Sequence, residues 1–215
     1  MGENLKILVA IPSVKYGLEQ LRFSLNSALF DIDGNVEIVQ FIDDPTPKAR
    51  NSACTMCLEK GLDGVFMADS DMEFHEGIIQ KLVYLSDMHR RCGAFSGLYH
   101  RRGDGFEPLF YKRKSKWAFK SMPVKVNSGC YEVDGGGAGC MFIPVETIRS
   151  IPFPWFMYEY NEEHQFIGED IYFFEKLYQS KKKFMVDTDC PCIHYGVGSV
   201  IPNSNGSNTV KTKVG

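Results

Sequence analysis

The sequence predicts an α/β domain with a mixed, mostly parallel central sheet and helices on both of its faces. Three observations carry that expectation. Apolar runs of strand length alternate with stretches whose apolar residues recur at helical spacing. The strand-like runs are continuous rather than alternating, as expected of strands buried on both faces. With 215 residues, 44% of them hydrophobic, the chain can also fill one substantial core.

The elements follow in order. KILVAIP and VEIVQFID read as buried strands. Between them LEQLRFSLNSALF carries Leu18, Leu21, Leu25 and Leu29 at helical spacing. PKARNSACTMCLEKG reads as a second helix closed by Gly61, and GVFMAD as the next strand. HEGIIQKLVYLSDM repeats the helical stripe through Ile78, Leu82 and Leu85, before the strand CGAFSGLYH. Strand and helix in strict alternation imply parallel pairing, which places ligands at the carboxyl ends of the strands.

Charge and composition exclude several functions. A formal charge of -3 gives no global attraction to nucleic acid or to an anionic membrane. The apolar stretch in MGENLKILVAIP is too short for a signal peptide, and nothing approaches the roughly twenty apolar residues of a membrane span, so the expectation is a cytoplasmic protein. Seven cysteines fit reduced thiols better than a disulfide framework. Cys54 and Cys57, with Cys190 and Cys192, leave a four-thiolate zinc site as the alternative to simple packing.

Acidic residues stand where the fold would place a ligand. In VFMADSDMEF, Asp69 and Asp71 follow the last apolar residues of a strand, and in an extended segment they would share a face. Two such carboxylates repel unless a cation or several donors compensate them, and a hard divalent ion bridging to phosphate is the economical answer. A plain turn is the simpler reading. Further on, DGGGAGCMFI brings Gly136 and Gly137 in a run that lets backbone approach a polar ligand. GEDIYFFEKLYQSKKK starts a helix at Glu169 and Asp170, and KFMVDTDCPCIHYG ends near His194. Acids in a first helical turn also satisfy free N–H groups, which would hold their pKa down.

The order of strand-DSD, glycine loop, GED at a helix start and a late HYG resembles GT-A-fold glycosyltransferases, closest to the family-2-like enzymes, over roughly residues 6 to 198. The resemblance implies a nucleotide-diphospho-sugar transferase: one catalytic domain over 1–198, with 1–100 as its nucleotide-binding half and 101–198 as its acceptor-binding half, then a flexible tail over 199–215. It implies that Asp71 and His194 hold a divalent ion, manganese or magnesium, with Asp69 assisting or binding the ribose. Ile11, Pro12, Ser13, Asp44, Arg50, Asp69 and Ser70 would contact the donor, a UDP-sugar by the resemblance of Asp44 to a uracil-reading aspartate. The continuation DDPTP departs from the family's DDGST and leaves Asp43 and Asp44 as competitors for that role.

Chemistry then assigns the rest. A metal and Arg50 would stabilise the diphosphate leaving group. Asp170, with Glu169 as competitor, would deprotonate the acceptor hydroxyl in a direct displacement, with inversion favoured. The acceptor, a glycan or glycoconjugate, would meet Gly136, Gly137 and Trp155, though Trp155 in IPFPWFMYEYNEEHQF has packing as its alternative. RRGDGFEPLFYKRKSKWAFK fits an anionic acceptor, a peripheral membrane contact or a hairpin with a solvated basic face. Residues 197–206 are expected to order as a flap over bound nucleotide. Three other classes compete: a phosphatase of the haloacid dehalogenase type, with Asp69 as nucleophile; a nucleotidyltransferase making sugar nucleotides, whose early glycine-rich, Arg- and Lys-containing loop is missing after Ile11; and a nonenzymatic metal-dependent carbohydrate-binding module.

Overall fold

The structure is a computed structural model that describes residues 5–13, 25, 26, 28, 29, 32, 34–101 and 107–195, and the backbone pairing of 198–202 and 208–212. In chain order its elements begin with β1 (Lys6–Ser13), β2 (Asn35–Ile42), α1 (Thr46–Glu59), β3 (Gly64–Ala68), β4 (Met72–Glu73), α2 (Ile78–Met88) and β5 (Cys92–Leu98). There follow β6 (Phe110–Ser115), β7 (Ala118–Ser121), β8 (Cys130–Val133), β9 (Gly135–Gly136), β10 (Cys140–Pro144) and α3 (Val145–Ser150). The last are β11 (Glu159–Tyr160), β12 (Phe166–Ile167), α4 (Glu169–Gln179), β13 (Lys183–Pro191), β14 (Ile193–His194), β15 (Gly198–Pro202) and β16 (Asn208–Thr212).

Local signals explain the boundaries. In α1 the buried residues Ala49, Arg50, Ala53, Cys54 and Cys57 recur at three- and four-residue intervals, and Pro47 stands in its first turn, where a missing N–H costs nothing. Beyond its end Gly61 takes a φ of 63°, a left-handed conformation that glycine adopts without steric cost. Ile78, Ile79, Leu82, Val83 and Leu85 form the buried stripe of α2. The helix expected over residues 18–30 falls mostly outside the described residues, of which Leu25, Asn26 and Ala28 are helical.

The central sheet runs β2-β1-β3-β10-β5-β13-β8. It is mixed and mostly parallel as expected: β2, β1, β3, β5 and β13 run one way, and β10 and β8, which the alternation of strand and helix does not foresee, run the other. β1 pairs in parallel with β2 and β3, and β13 with β5, but β10 is antiparallel to both β3 and β5, and β8 to β13. β10 splits the two strands that flank α2, with Cys140 opposite Ala68 and Pro144 opposite Gly64. Gly64 admits it: a Cβ there would lie 2.6 Å from the Phe142 ring.

Two apolar clusters flank this sheet. Leu8 and Ala10 of β1 enter one, and Ile7, Val9 and Ile11 the other, following the two-residue period of a strand. Ala53 and Cys57 of α1, Val145 and Ile148 of α3, and Phe173, Phe174 and Leu177 of α4 fill the first cluster. The α2 stripe fills the second. Cys54 and Cys57 belong to the first cluster and Cys190 and Cys192 to the second, so the sheet separates the pairs and the four-thiolate zinc site is overturned.

Smaller sheets complete the frame. The basic segment forms the β6–β7 hairpin, joined to β9. It is fastened to α4 by Arg113, whose Nε and Nη2 donate to the two carboxylate oxygens of Glu175 at 2.8 and 2.9 Å, while its guanidinium lies over Tyr178. The C-terminal segment is not the unstructured tail the sequence suggests. β15 pairs with β16 and with β14, and β14 with β4. Backbone pairing along SVIP and NTVKT, with their β-branched residues, outweighs the Ser- and Asn-rich composition between them. Of the expected flap, residues 197 and 203–206 lie outside the described residues. No helix among the described residues is long and apolar enough to cross a membrane.

Candidate active site

The carboxyl ends of β1, β2 and β3 lie side by side, and the candidate aspartates Asp43, Asp44, Asp69 and Asp71 follow the last two of them. At β1, the Ser13 carbonyl accepts the Asp43 N–H at 2.9 Å, and the Ser13 hydroxyl accepts from Gln40 Nε2 at 2.7 Å. Asp43 turns the chain with a φ of 57°. Asp44 takes Lys48 as its partner at 2.5 Å. The Ile11 side chain is buried in the core and its backbone belongs to the sheet ladder, so its expected contact with a nucleotide is corrected; Pro12 is half-buried.

At β3, the strand ends in a turn, not an extended segment. The Met72 N–H reaches back to the Asp69 carbonyl at 3.3 Å, across Ser70. This separates the two carboxylates that extended geometry would have placed on one face. Asp69 points to Arg50 and Asp71 to His194.

Arg50 differs most from its expected role. Its side chain is 3% exposed, with Nη2 2.8 Å from Asp69 Oδ1 and Nη1 3.3 Å from Glu169 Oε1. The guanidinium lies over the Phe156 ring, and Nε and Nη1 make no hydrogen bond. Burial opposes its charge, but Asp69, Glu169 and Asp170 together outweigh that and hold the proton firmly. A group so enclosed presents no surface to a diphosphate. Arg50 instead ties the DSD turn to the start of α4, and its assignment as a donor contact is corrected.

Asp71 and His194 face one another, with His194 Nε2 3.5 Å from Asp71 Oδ1. His194 Nδ1 lies 2.9 Å from the His100 carbonyl, which can only accept, so Nδ1 carries a proton. In the neutral ring, Nε2 then turns its lone pair toward the Asp71 carboxylate. Two acceptors in that relation call for a cation between them or a proton on the imidazole. Tyr99 packs edge-on to His194, and the Tyr195 N–H fixes the Asp71 carbonyl at 2.8 Å. Among the described residues no group of three or more His, Cys, Asp or Glu side chains is arranged to hold a metal. An ion here would complete its shell with water or ligand oxygen.

Glu169 and Asp170 open α4, and the Asp170 Oδ1 accepts the Ile171 N–H at 2.7 Å. The expected lowering of its pKa by the helix terminus is overturned. Burial, and then the negative charge of Glu169, push the Asp170 carboxyl up to about 6, against the opposing pull of Arg50 and the Ile171 N–H. That value suits proton transfer near neutral pH.

The glycine run serves the protein's own packing. A Cβ on Gly136 would strike the Leu109 carbonyl and the Phe184 ring, and one on Gly137 the Tyr99 hydroxyl. A Cβ on Gly139 would lie 2.6 Å from Asp69 Oδ2. The closeness expected between Gly136 or Gly137 and an acceptor is therefore taken up by side chains and carbonyls of the chain itself. Trp155 is also corrected: it is 6% exposed, and its Nε1 donates to the Ile148 and Ile151 carbonyls. Asn51 clamps that loop, accepting from the Trp155 and Phe156 N–H groups and donating to the Phe156 carbonyl.

Sequence reasoning missed Tyr99. Its hydroxyl accepts the Gly139 N–H at 2.8 Å, which ties the glycine run to the end of β5 beside His194. No local pattern marks a lone tyrosine at a strand end. It also missed a cleft of about 260 Å³ between the β6–β7 hairpin and α4, lined by Arg101, Glu107, Tyr111, Trp117, Phe119 and Ile171 among others.

No protein-family model matches the chain, and no curated protein does. Among solved structures the chain is similar to the crystal structure of A197 from STIV. The identity is 21%, the TM-score 0.65, and the alignment covers 97% of this chain and 95% of that one. At that identity the likeness shows a shared fold over nearly the whole chain.

Proposed function

We propose that the chain is a metal-dependent glycosyltransferase of the GT-A fold, with its sheet enclosed by helices, moving a sugar from a nucleotide diphosphate donor to an acceptor hydroxyl. The observation that carries this reading is the meeting of the two acidic motifs. Arg50 draws Asp69, at the end of β3, and Glu169, at the start of α4, to one guanidinium, while Asp71 of the same turn faces His194.

The donor set fits a divalent ion. Asp71 Oδ1 offers a hard oxygen and His194 Nε2 a borderline nitrogen, a combination that moves preference from magnesium toward manganese. When bound, such an ion would neutralise charge on the departing diphosphate. Asp170, with a pKa near 6, is placed in chain order after the Arg50-held Glu169 and is the base for the acceptor hydroxyl. The carboxyl-end corner of β1 and β2, with Ser13, Asp43 and Asp44, is the place for the nucleoside, and the resemblance of the motifs favours uridine. A phosphatase reading fares worse, because its nucleophile would be Asp69, already engaged by Arg50.

The test is thermal stability against UDP, GDP, CDP and dTDP, each with and without manganese, in wild type and in Asp71→Ala. A ligand at a hundred times its dissociation constant adds about 2.7 kcal/mol. Manganese-dependent stabilisation by one nucleotide, lost in Asp71→Ala, is the expected result. Absence of stabilisation by every nucleotide would sink the reading.

A further inference from the structure

We infer that the cleft between the β6–β7 hairpin and the start of α4 is an acceptor subsite shaped for a sugar ring, with the aromatic side chains of Tyr111 and Trp117 and the neighbouring polar pair Arg101 and Glu107 in its lining. The inference rests on the transferase reading and gives its acceptor a place other than Gly136, Gly137 and Trp155.

Position is the first argument. Ile171, which lines the cleft, directly follows Asp170 in the first turn of α4. Tyr111 stands close enough to Asp170 for that carboxylate to raise the phenol's pKa, second only to burial as a cause. The cleft thus opens beside the proposed base. Its volume, about 260 Å³, lies just under the roughly 300–1,000 Å³ of sites for drug-sized ligands, which suits one ring at a time.

Chemistry is the second argument. Tyr111, Trp117 and Phe119 supply apolar ring faces and edges, on which the C–H face of a sugar packs. Arg101 brings only donors and Glu107 only acceptors, the complement that a ring of hydroxyls requires. Arg101 and Glu107 are neighbours, the Arg101 N–H donating to the Glu107 carbonyl at 2.8 Å, and a positive group beside a negative one gives no preference for an anionic headgroup, which disfavours a lipid surface.

Backbone strain is the third. Trp117 has a φ of 63°, in the left-handed region that a bulky side chain rarely occupies. Glycine would serve that turn better, yet the chain holds an indole there, stacked on Tyr172 at 5.7 Å and 14°. A strained residue kept beside a cleft points to a use for its side chain. Lys116, over the same ring at 5.5 Å, is an exposed cap that a sugar would displace.

The experiment is ligand-observed saturation-transfer NMR with glucose, maltose, cellobiose and lactose on the full chain, wild type, Trp117→Gly and Arg101→Gln. Trp117→Gly relieves the left-handed backbone, so the variant folds, as its unfolding curve will report. Saturable signals from at least one sugar are expected, with the dissociation constant raised about tenfold in each variant. Sugar binding unchanged in Trp117→Gly would overturn the assignment. So would silence from every sugar, whether or not vesicles of phosphatidylglycerol bind in their place. The nucleotide and manganese stability assay separates the two readings. Silent sugars with an intact nucleotide shift defeat the subsite alone, whereas sugar binding without any nucleotide shift defeats the transferase and keeps the cleft as a carbohydrate site.

Discussion

Arg50 Nη2 lies 2.8 Å from Asp69 Oδ1 inside the fold, where the guanidinium is almost wholly shielded from solvent. One cation there compensates carboxylates from both halves of the chain, since Glu169 lies within 3.3 Å of its other amino group. Its removal leaves Asp69, Glu169 and the neighbouring Asp170 to repel one another in a poorly solvated place. Arg50→Met, which keeps most of the volume, is therefore expected to cost about 3–5 kcal/mol in urea unfolding. A variant as stable as wild type would mean that the acids do not depend on this cation.

Asp170 links activity to stability through pH. Its folded pKa of about 6 stands above the ordinary aspartate value of 3.8, so between those values the folded protein binds more protons than the unfolded chain. Stability contributed by the protonated carboxyl is fully present below the lower value and is lost as pH rises through about 6. Asp170→Asn should then be more stable than wild type at pH 7, by as much as about 2–3 kcal/mol, and equal to it near pH 4. Transfer should rise tenfold per pH unit below about 6, level off above it, and be lost in the variant. Equal stability of the two proteins at pH 7 would show that the carboxyl is not held in its raised state.

These two residues also mark how far the sequence could be read. Asp69, Asp71, Glu169, Asp170 and His194 were legible as candidates because they stand at strand ends and a helix start, where local pattern and topology agree. The strands and helices were legible for the same reason, as apolar runs of the right period. What was not legible depends on long-range packing. The run CMFIP suits a parallel or an antiparallel strand equally, and only its fit against Phe66 and Phe95 places it between β3 and β5. Ser70 looks the same in a turn as in an extended strand, so the divergence of Asp69 from Asp71 was hidden. Arg50 and Trp155 have side chains suited to binding, and burial alone assigns both to the interior.

Trp155 gives a direct test of that division. Its indole fills the cluster beneath α3, packs edge-on against Phe153 at 5.4 Å, and spends its N–H on two carbonyls. Trp155→Ala should lower stability by about 3–5 kcal/mol. Trp155→Phe keeps most of the apolar volume and should leave the acceptor KM unchanged. A large rise in KM with stability intact would return the residue to the acceptor site.

Gly139 gives the most local prediction. Its N–H is held by the Tyr99 hydroxyl and its carbonyl accepts the Asp69 N–H, so backbone on both sides is fixed. A methyl group there would lie 2.6 Å from Asp69 Oδ2, closer than nonbonded atoms tolerate, and a tight 3.2 Å from Asp69 Cβ. The backbone cannot yield easily, so the carboxylate must swing and its bond to Arg50 must lengthen. Gly139→Ala is expected to cost about 1–3 kcal/mol, the usual range for overpacking. The same displacement would disturb the turn that carries Asp71, so manganese-dependent nucleotide stabilisation should weaken with it. Pairing Gly139→Ala with Asp69→Ala separates the causes: if the clash is with this carboxylate, the second substitution recovers part of what the first removes, and a strictly additive pair would place the clash elsewhere.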